Sequence, residues 1–206
     1  MKRKGVLVVV SGFSGVGKGT IMRRLIEKYE GYALSISATT RAPRDGETDG
    51  KEYFFHTREE FRQMISRDEL VEYACYCDNY YGTPRNYVEE QMARGKDIIL
   101  EIEIQGALKI KAKYPDALLL FVMPPSGDAL RQRLTDRGTE SAEVIEARLE
   151  RAKAEADGIE SYDYILVNDN LEDCVDRMHE LIRCQHWQVG NNEEFIDKVR
   201  TEIKGF

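Results

Sequence analysis

The run GVLVVVS at residues 5–11 is apolar and rich in β-branched residues, and it feeds directly into the glycine-rich stretch GFSGVGKGT at residues 12–20. A short strand without polar alternation suits a parallel sheet covered on both faces. From Lys18 onward, Ile21, Met22, Leu25, Ile26 and Tyr29 recur at helical spacing, and Gly31 ends the pattern. A buried strand, a glycine turn and an amphipathic helix in that order form the building unit of an α/β fold. The turn also has a chemical use. Glycines let successive backbone N–H groups point inward, the helix N-terminus adds its dipole, and a lysine on the first turn can reach outer phosphates. The match to G-x-x-x-x-G-K-[ST] is imperfect, because Lys18 is followed by Gly19 and the hydroxyl arrives one residue late, at Thr20.

The same rhythm continues along the chain. DIILEIE, ALLLFVM and YDYILVND read as three further buried strands. Helices are expected in RNYVEEQMARG (with Pro84 in its first turn), ALKIKAKYP, DALRQRLTDRG, SAEVIEARLERAKAEADG and NLEDCVDRMHELIRCQHWQ. The tail NNEEFIDKVRTEIKGF puts Phe195, Ile196, Val199 and Ile203 on one helical face, which reads as a packing helix, on the core or on another subunit, rather than one that binds a partner. Residues 37–95 break the rhythm. ALSISATT alternates as one strand and LVEYACY reads as another, while DNYYGTP is a turn-rich link. Thr57 and Glu60 make a capping box for a helix carrying Phe61, Met64 and Ile65. We therefore expect an α/β fold with a parallel sheet flanked by helices and an inserted antiparallel piece.

A length of 206 residues suits one domain. With 37 acidic against 30 basic residues the net charge is −7, which argues against a general nucleic-acid binder. Cys75, Cys77, Cys174 and Cys184 fit no zinc spacing and read as reduced thiols of a cytoplasmic protein. Neither a signal peptide nor a membrane span is evident. His56, His179 and His186 are scattered and read as structural.

A second cluster accompanies the loop. In SATTRAPRDGETDGKEY, Arg41 and Arg44 stand three residues apart with Ser37 and Tyr53 nearby, and two forked guanidinium groups can converge on one phosphate. Downstream, Glu72 can accept hydrogen bonds from a base edge, and Tyr81 and Thr83 lie in NYYGT. Taken singly, each residue also fits a bland role: an exposed arginine, a strand glutamate, a core tyrosine.

Together, GFSGVGKGT, SATTRAPRDGETDGKEYFF, NYYGTP, EIEIQGA and RGTES resemble the guanylate kinases in order and spacing, from about residue 6 to about residue 184. The resemblance implies a P-loop NTPase core at about 1–36, 96–127 and 159–190, a GMP-binding insertion at about 37–95, a helical lid at about 128–158 and a C-terminal helix at about 191–206. It implies transfer of the γ-phosphoryl group of ATP to GMP and dGMP, giving ADP and GDP, in purine salvage and GMP recycling. ATP would lie on Gly12, Phe13, Ser14, Gly15, Val16, Gly17, Lys18, Gly19 and Thr20, with Asn168 beside the adenine. Arg41, Arg44, Tyr53 and Tyr81, supported by Ser37, would hold the GMP phosphate, and Glu72 and Thr83 would read the guanine. Lys18, Arg41 and the lid arginines Arg137 and Arg148 would act on the transferred group, with Arg133 a weaker candidate. Glu101 and Glu103 stand where many relatives carry aspartates; both would face the substrates, Glu103 closer to the phosphates. Mg²⁺ would be held mainly by ATP and water, with Thr20 near a phosphate. A monomer and a homodimer are both open. Two other readings are a kinase for AMP or UMP, which Glu72 and Thr83 disfavour, and a non-catalytic module that binds protein ligands, which the complete loop disfavours.

Overall fold

The computed structural model of the chain describes residues 4–76, 78–136 and 141–206. Strand β1 (Leu7–Gly12) runs into helix α1 (Lys18–Lys28), then β2 (Tyr32–Leu34), β3 (Ala38–Thr39) and β4 (Phe54–Phe55). Helix α2 (Arg58–Ser66), β5 (Leu70–Tyr76), β6 (Asn79–Pro84) and α3 (Arg85–Ala93) follow. Next come β7 (Asp97–Glu101), α4 (Ile104–Lys113), β8 (Leu118–Met123), α5 (Gly127–Asp136) and α6 (Ala142–Ala156). Strand β9 (Tyr164–Val167), α7 (Leu171–Gln185) and α8 (Glu193–Lys204) complete the order.

Five strands make a parallel sheet in the order β2-β7-β1-β8-β9. Alternate residues of its central strands enter two different cores. Val8, Val10, Leu118 and Leu120 pack against Ile21 and Leu25 of α1 and Val175, Met178 and Ile182 of α7. Leu7, Val9, Ile98, Leu100 and Leu119 pack on the other face against Val88 of α3 and Ala107 and Ile110 of α4. Both faces are covered, so no polar alternation survives in these strands. A second sheet, β4-β3-β6-β5, has β3 and β5 antiparallel to β6. Phe61 of α2 is fully buried under it, and the Thr57–Glu60 capping box is formed.

Several expectations need correction. ALSISATT is two strands: β2 stays in the parallel sheet, while Ala38 and Thr39 pair with Gly82 and Tyr81 in the second. DNYYGTP is no link but contains β6, paired to β5 through Tyr80, Tyr81 and Thr83. Cross-strand pairing of these residues outweighs the turn preference of Asn79, Gly82 and Pro84. Pro84 precedes α3 as its N-cap rather than occupying the first turn. Strand β9 lies at the edge of the parallel sheet, with Leu166 buried and Tyr164, Ile165 and Val167 exposed. Helix α8 buries none of its residues fully: Phe195 and Ile203 are exposed, and Ile196 and Val199 are half-buried. Glu103 is not on the strand; it is the N-cap of α4.

The histidines are structural as expected where they meet the core: His179 stacks on Tyr29, and His186 bonds Asp97 at 2.9 Å. Among the described residues no helix is long and apolar enough to cross a membrane.

The strand-to-loop junction is tight. A Cβ at Gly12 would stand 2.4 Å from the Val122 carbonyl oxygen of β8, whereas one at Gly19 would meet nothing within 4 Å. Gly12→Ala is expected to cost about 2 kcal/mol and to lower Tm by roughly 4–8 °C. Gly19→Ala, inside α1, should leave Tm unchanged or raise it slightly, since alanine favours helix by up to about 1 kcal/mol over glycine. Thermal unfolding of the two variants checks both.

Candidate active site

The loop between β1 and α1 is shaped by Gly15 (φ 88°) and Gly17 (φ 98°), left-handed positions that side chains disfavour. Each also faces a close neighbour: a Cβ would lie 2.5 Å from Leu134 Cδ2 at Gly15 and 2.8 Å from Asn168 Nδ2 at Gly17. Helix α1 starts at Lys18 with no side chain capping it, so its leading N–H groups and dipole are presented to an anion. Lys18 Nζ folds back onto the loop, donating to the Gly12 carbonyl at 2.8 Å and the Phe13 carbonyl at 3.3 Å. It stands 3.9 Å from Glu101 Oε1, at the end of β7. Burial holds the Lys18 ammonium below its ordinary pKa, against the pull of Glu101, and burial lifts the Glu101 carboxyl above the usual range, against Lys18. In both partners desolvation outweighs their mutual attraction.

Glu101 is the carboxylate beside Lys18, while Glu103 lines the same cavity and is ion-paired to Arg151. The β7 strand ends at Glu101, so the following two residues already turn into α4 and point Glu103 toward α6.

A cavity of about 460 Å³ opens over Lys18, with Ser11, Ser14, Glu101, Tyr53 and Arg151 in its wall. Tyr53 comes from the segment before β4, so one space is walled by the loop and by the second sheet's loops. Arg41 stands over the Tyr53 ring at 5.3 Å, and the Tyr53 and Tyr81 rings meet at 6.1 Å. Three of the expected phosphate residues are thus together. Arg44 joins them through its backbone: Glu47 accepts from Arg41 Nη2 at 2.8 Å and from the Arg44 N–H at 2.7 Å. Arg41 correspondingly holds the Glu47 carboxyl below its usual range. Glu47 was missed in the sequence, where one acid among the charged turn formers of RDGETDG carries no distinguishing signal. Ser37 is half-buried, and its carbonyl accepts from the Phe54 N–H at 2.9 Å.

Glu72 and Thr83 sit opposite each other in the β5–β6 pair. Thr83 Oγ1 donates to Glu72 Oε1 at 2.9 Å, and both side chains are buried. Desolvation raises the Glu72 pKa, with the Thr83 hydrogen bond opposing it. Gly106 of α4 keeps the other oxygen clear, since a Cβ there would lie 3.4 Å from Oε2.

On the far side of the loop, Gly15, Val16, Gly17, Thr20, Arg133 and Asn168 enclose a second hollow of about 480 Å³. Asn168 Nδ2 donates to the Val16 carbonyl at 2.8 Å, and Arg133 Nη2 donates to the Asn168 carbonyl at 2.7 Å. Thr20 therefore lines this hollow and not the cavity over Lys18, while Gly19 is exposed. From α6, Arg148 Nη1 donates to Ser14 Oγ at 3.2 Å. Arg137 lies outside the described residues.

A sequence model of the guanylate kinase family matches residues 4–185. A guanylate kinase of Halalkalibacterium halodurans is 49% identical over 203 residues, covering 98% of each chain. That of Oceanobacillus iheyensis is 48% identical over 186 residues, covering 90% of each. The crystal structure of guanylate kinase from Anaplasma phagocytophilum superposes with a TM-score of 0.71 at 34% identity, covering 91% of this chain and 89% of that one. Over nearly its whole length, in sequence and in fold, the chain belongs to the guanylate kinase family.

Proposed function

We propose that this protein transfers the γ-phosphoryl group of ATP to GMP, and to dGMP, giving ADP and GDP, and so serves purine salvage and GMP recycling. One observation carries the reading: a single cavity is bounded by Lys18 of the phosphate loop and by Tyr53, with Arg41 stacked on that tyrosine. A donor and an acceptor phosphate can meet there. ATP phosphates take the place of the two carbonyls on Lys18 and lie against the uncapped end of α1. The adenine enters the hollow beside Asn168. The acceptor phosphate sits on Arg41, Arg44, Tyr53 and Tyr81 with Ser37 behind, and the guanine donates its N1–H and N2–H₂ to Glu72, with Thr83 beside it. Adenine lacks that donor pair, and a buried carboxylate left unpaired rejects the wrong base strongly. The acceptor phosphate is anionic near neutral pH, so positioning and charge neutralisation suffice without a general base. Arg148 of α6, which donates to Ser14 of the loop, adds positive charge to the transferred group.

The family implies Mg²⁺. Among the described residues no group of three acidic, histidine or cysteine side chains could hold a metal alone. Glu101 at the cavity wall offers a single carboxylate, which fits an ion carried mainly by phosphate oxygens and water. Such an ion supplies charge neutralisation across the phosphates; Glu101 would orient its water shell. A cytoplasmic location fits the free cysteines Cys75, Cys174 and Cys184.

A coupled assay for ADP release over GMP, dGMP, AMP and UMP tests the proposal. GMP and dGMP are expected to be the good acceptors, with AMP lower in kcat/KM by about 10³-fold or more. A preference for AMP or UMP would sink the assignment of Glu72 and Thr83.

A further inference from the structure

Helix α6 presents Arg148, Arg151 and Glu155 at positions i, i+3 and i+7, which share one face. Arg148 reaches Ser14 of the phosphate loop, so this face looks down on the loop. Three residues on, Arg151 lies in the wall of the cavity that holds Lys18 and Glu101. Its charge is felt at Lys18, where it helps hold the ammonium pKa down. Its guanidinium is gripped at two points of unequal character. Nε donates to Glu155 Oε1 at 3.0 Å, on the same helix, while Nη2 pairs with Glu103, the N-cap of α4. The Arg151 and Glu103 side chains are 42% and 68% exposed, so the contact between them is a solvated pair of low net strength. The Glu155 contact lies within α6 and holds Nε, while Nη2 is the nitrogen paired with Glu103, and all three residues line the cavity over Lys18.

We propose that Arg151 is a further catalytic residue, which exchanges Glu103 for the oxygens of the phosphoryl group in transit when both nucleotides are bound. The exchange is favourable because a transferring phosphoryl group presents denser negative charge than one solvated carboxylate, in a site from which water has been cleared. A guanidinium matches the spread of charge over the equatorial oxygens, as a lysine cannot. This inference rests on the phosphoryl-transfer reading above.

The test is steady-state kinetics of Arg151→Ala and Arg151→Lys in the full chain with ATP, Mg²⁺ and GMP, with and without added guanidinium ion at millimolar concentration. The expected result for Arg151→Ala is a fall in kcat on the order of 10²-fold, with both KM values within about threefold of wild type. Guanidinium ion should restore part of the lost rate in that variant and none in wild type, and Arg151→Lys should fall between the two. An unchanged kcat, a loss confined to KM, or a folded Arg151→Ala protein that guanidinium does not rescue would each overturn the proposal. Should Arg151→Ala fail to fold by circular dichroism, the kcat and KM of Arg151→Lys decide on the same criteria. Inactive wild type would instead defeat the phosphoryl-transfer reading itself, so the two failures are separable.

Discussion

Lys18→Met is expected to lower kcat by about 10³-fold while leaving GMP affinity within about threefold. The lysine lines the cavity from the first turn of α1, and the proposed acceptor residues Tyr53 and Arg41 lie across it in the loops of the second sheet, so the acceptor site is expected to keep its own contacts. Methionine matches the length of the stem and keeps its packing, yet offers no donor to a β- or γ-phosphate oxygen. The same change should not harm the fold. The Lys18 side chain is only 16% exposed, and burial depresses its pKa. A base whose folded-state pKa is lowered costs stability at every pH where it is charged in the unfolded chain and must be kept charged in the folded one. Near neutral pH the variant should therefore melt at the same temperature as wild type or higher. Coupled-assay kcat, GMP titration calorimetry and thermal unfolding together check this. Retained turnover would remove Lys18 from the chemistry.

Glu72→Gln is expected to cut kcat/KM for GMP by about 10³-fold, chiefly through KM. A glutamine can still accept from Thr83 Oγ1, but its second position becomes an amide NH₂ facing the donors of the guanine edge. Here too the stability effect runs opposite to the functional one. Burial raises the Glu72 pKa in the folded state. An acid with a raised folded pKa loses stability as pH rises from its unfolded value through its folded value, and loses none where both states are protonated. The Tm advantage of the glutamine variant should thus be negligible below about pH 4 and grow over the range above the ordinary glutamate pKa of about 4.3. A variant that kept GMP kinetics, or a Tm difference flat across that range, would count against the placement of Glu72 as a buried, ionised base reader.

Much of the parallel core was legible because its signals are local. Val8 and Val9 alternate between two helix layers, but both layers are apolar, so the strand reads as a continuous hydrophobic run. The glycines of the loop announce themselves because only they accept φ values such as those of Gly15 and Gly17. The same locality misleads elsewhere. The run YDYILVND looks like the other core strands, yet β9 has a neighbour on one side only and leaves Ile165 exposed. Residues 78–84 look like a turn because pairing with β5 is invisible to a short window. The apolar stripe on α8 signals a helix correctly and says nothing about what covers it.

The candidate site divides in the same way. The loop, Arg41, Tyr53 and the Glu72–Thr83 pair could be picked from the sequence by residue type and motif, and the structure brings Lys18 and Tyr53 to one cavity although 35 positions separate their numbers. Which carboxylate stands by Lys18 could not be read from the sequence, because it depends on where β7 ends and α4 begins. Glu47 and Arg151 could not be picked at all, since a surface acid and a helix arginine are common and their partners lie elsewhere in space.

By itself, then, the amino-acid order determined the strand-loop-helix unit and the parallel core, because hydrophobic periodicity and glycine conformation act over a few residues. Only the tertiary structure decided that Glu101 stands within 3.9 Å of Lys18, that Glu47 bridges Arg41 and the Arg44 backbone, and that Arg151 reaches the cavity over Lys18. Those outcomes depend on which sheet each strand joins and on how α6 lies over the loop, and charge contacts across such distances in sequence exist only once the backbone has brought them within reach.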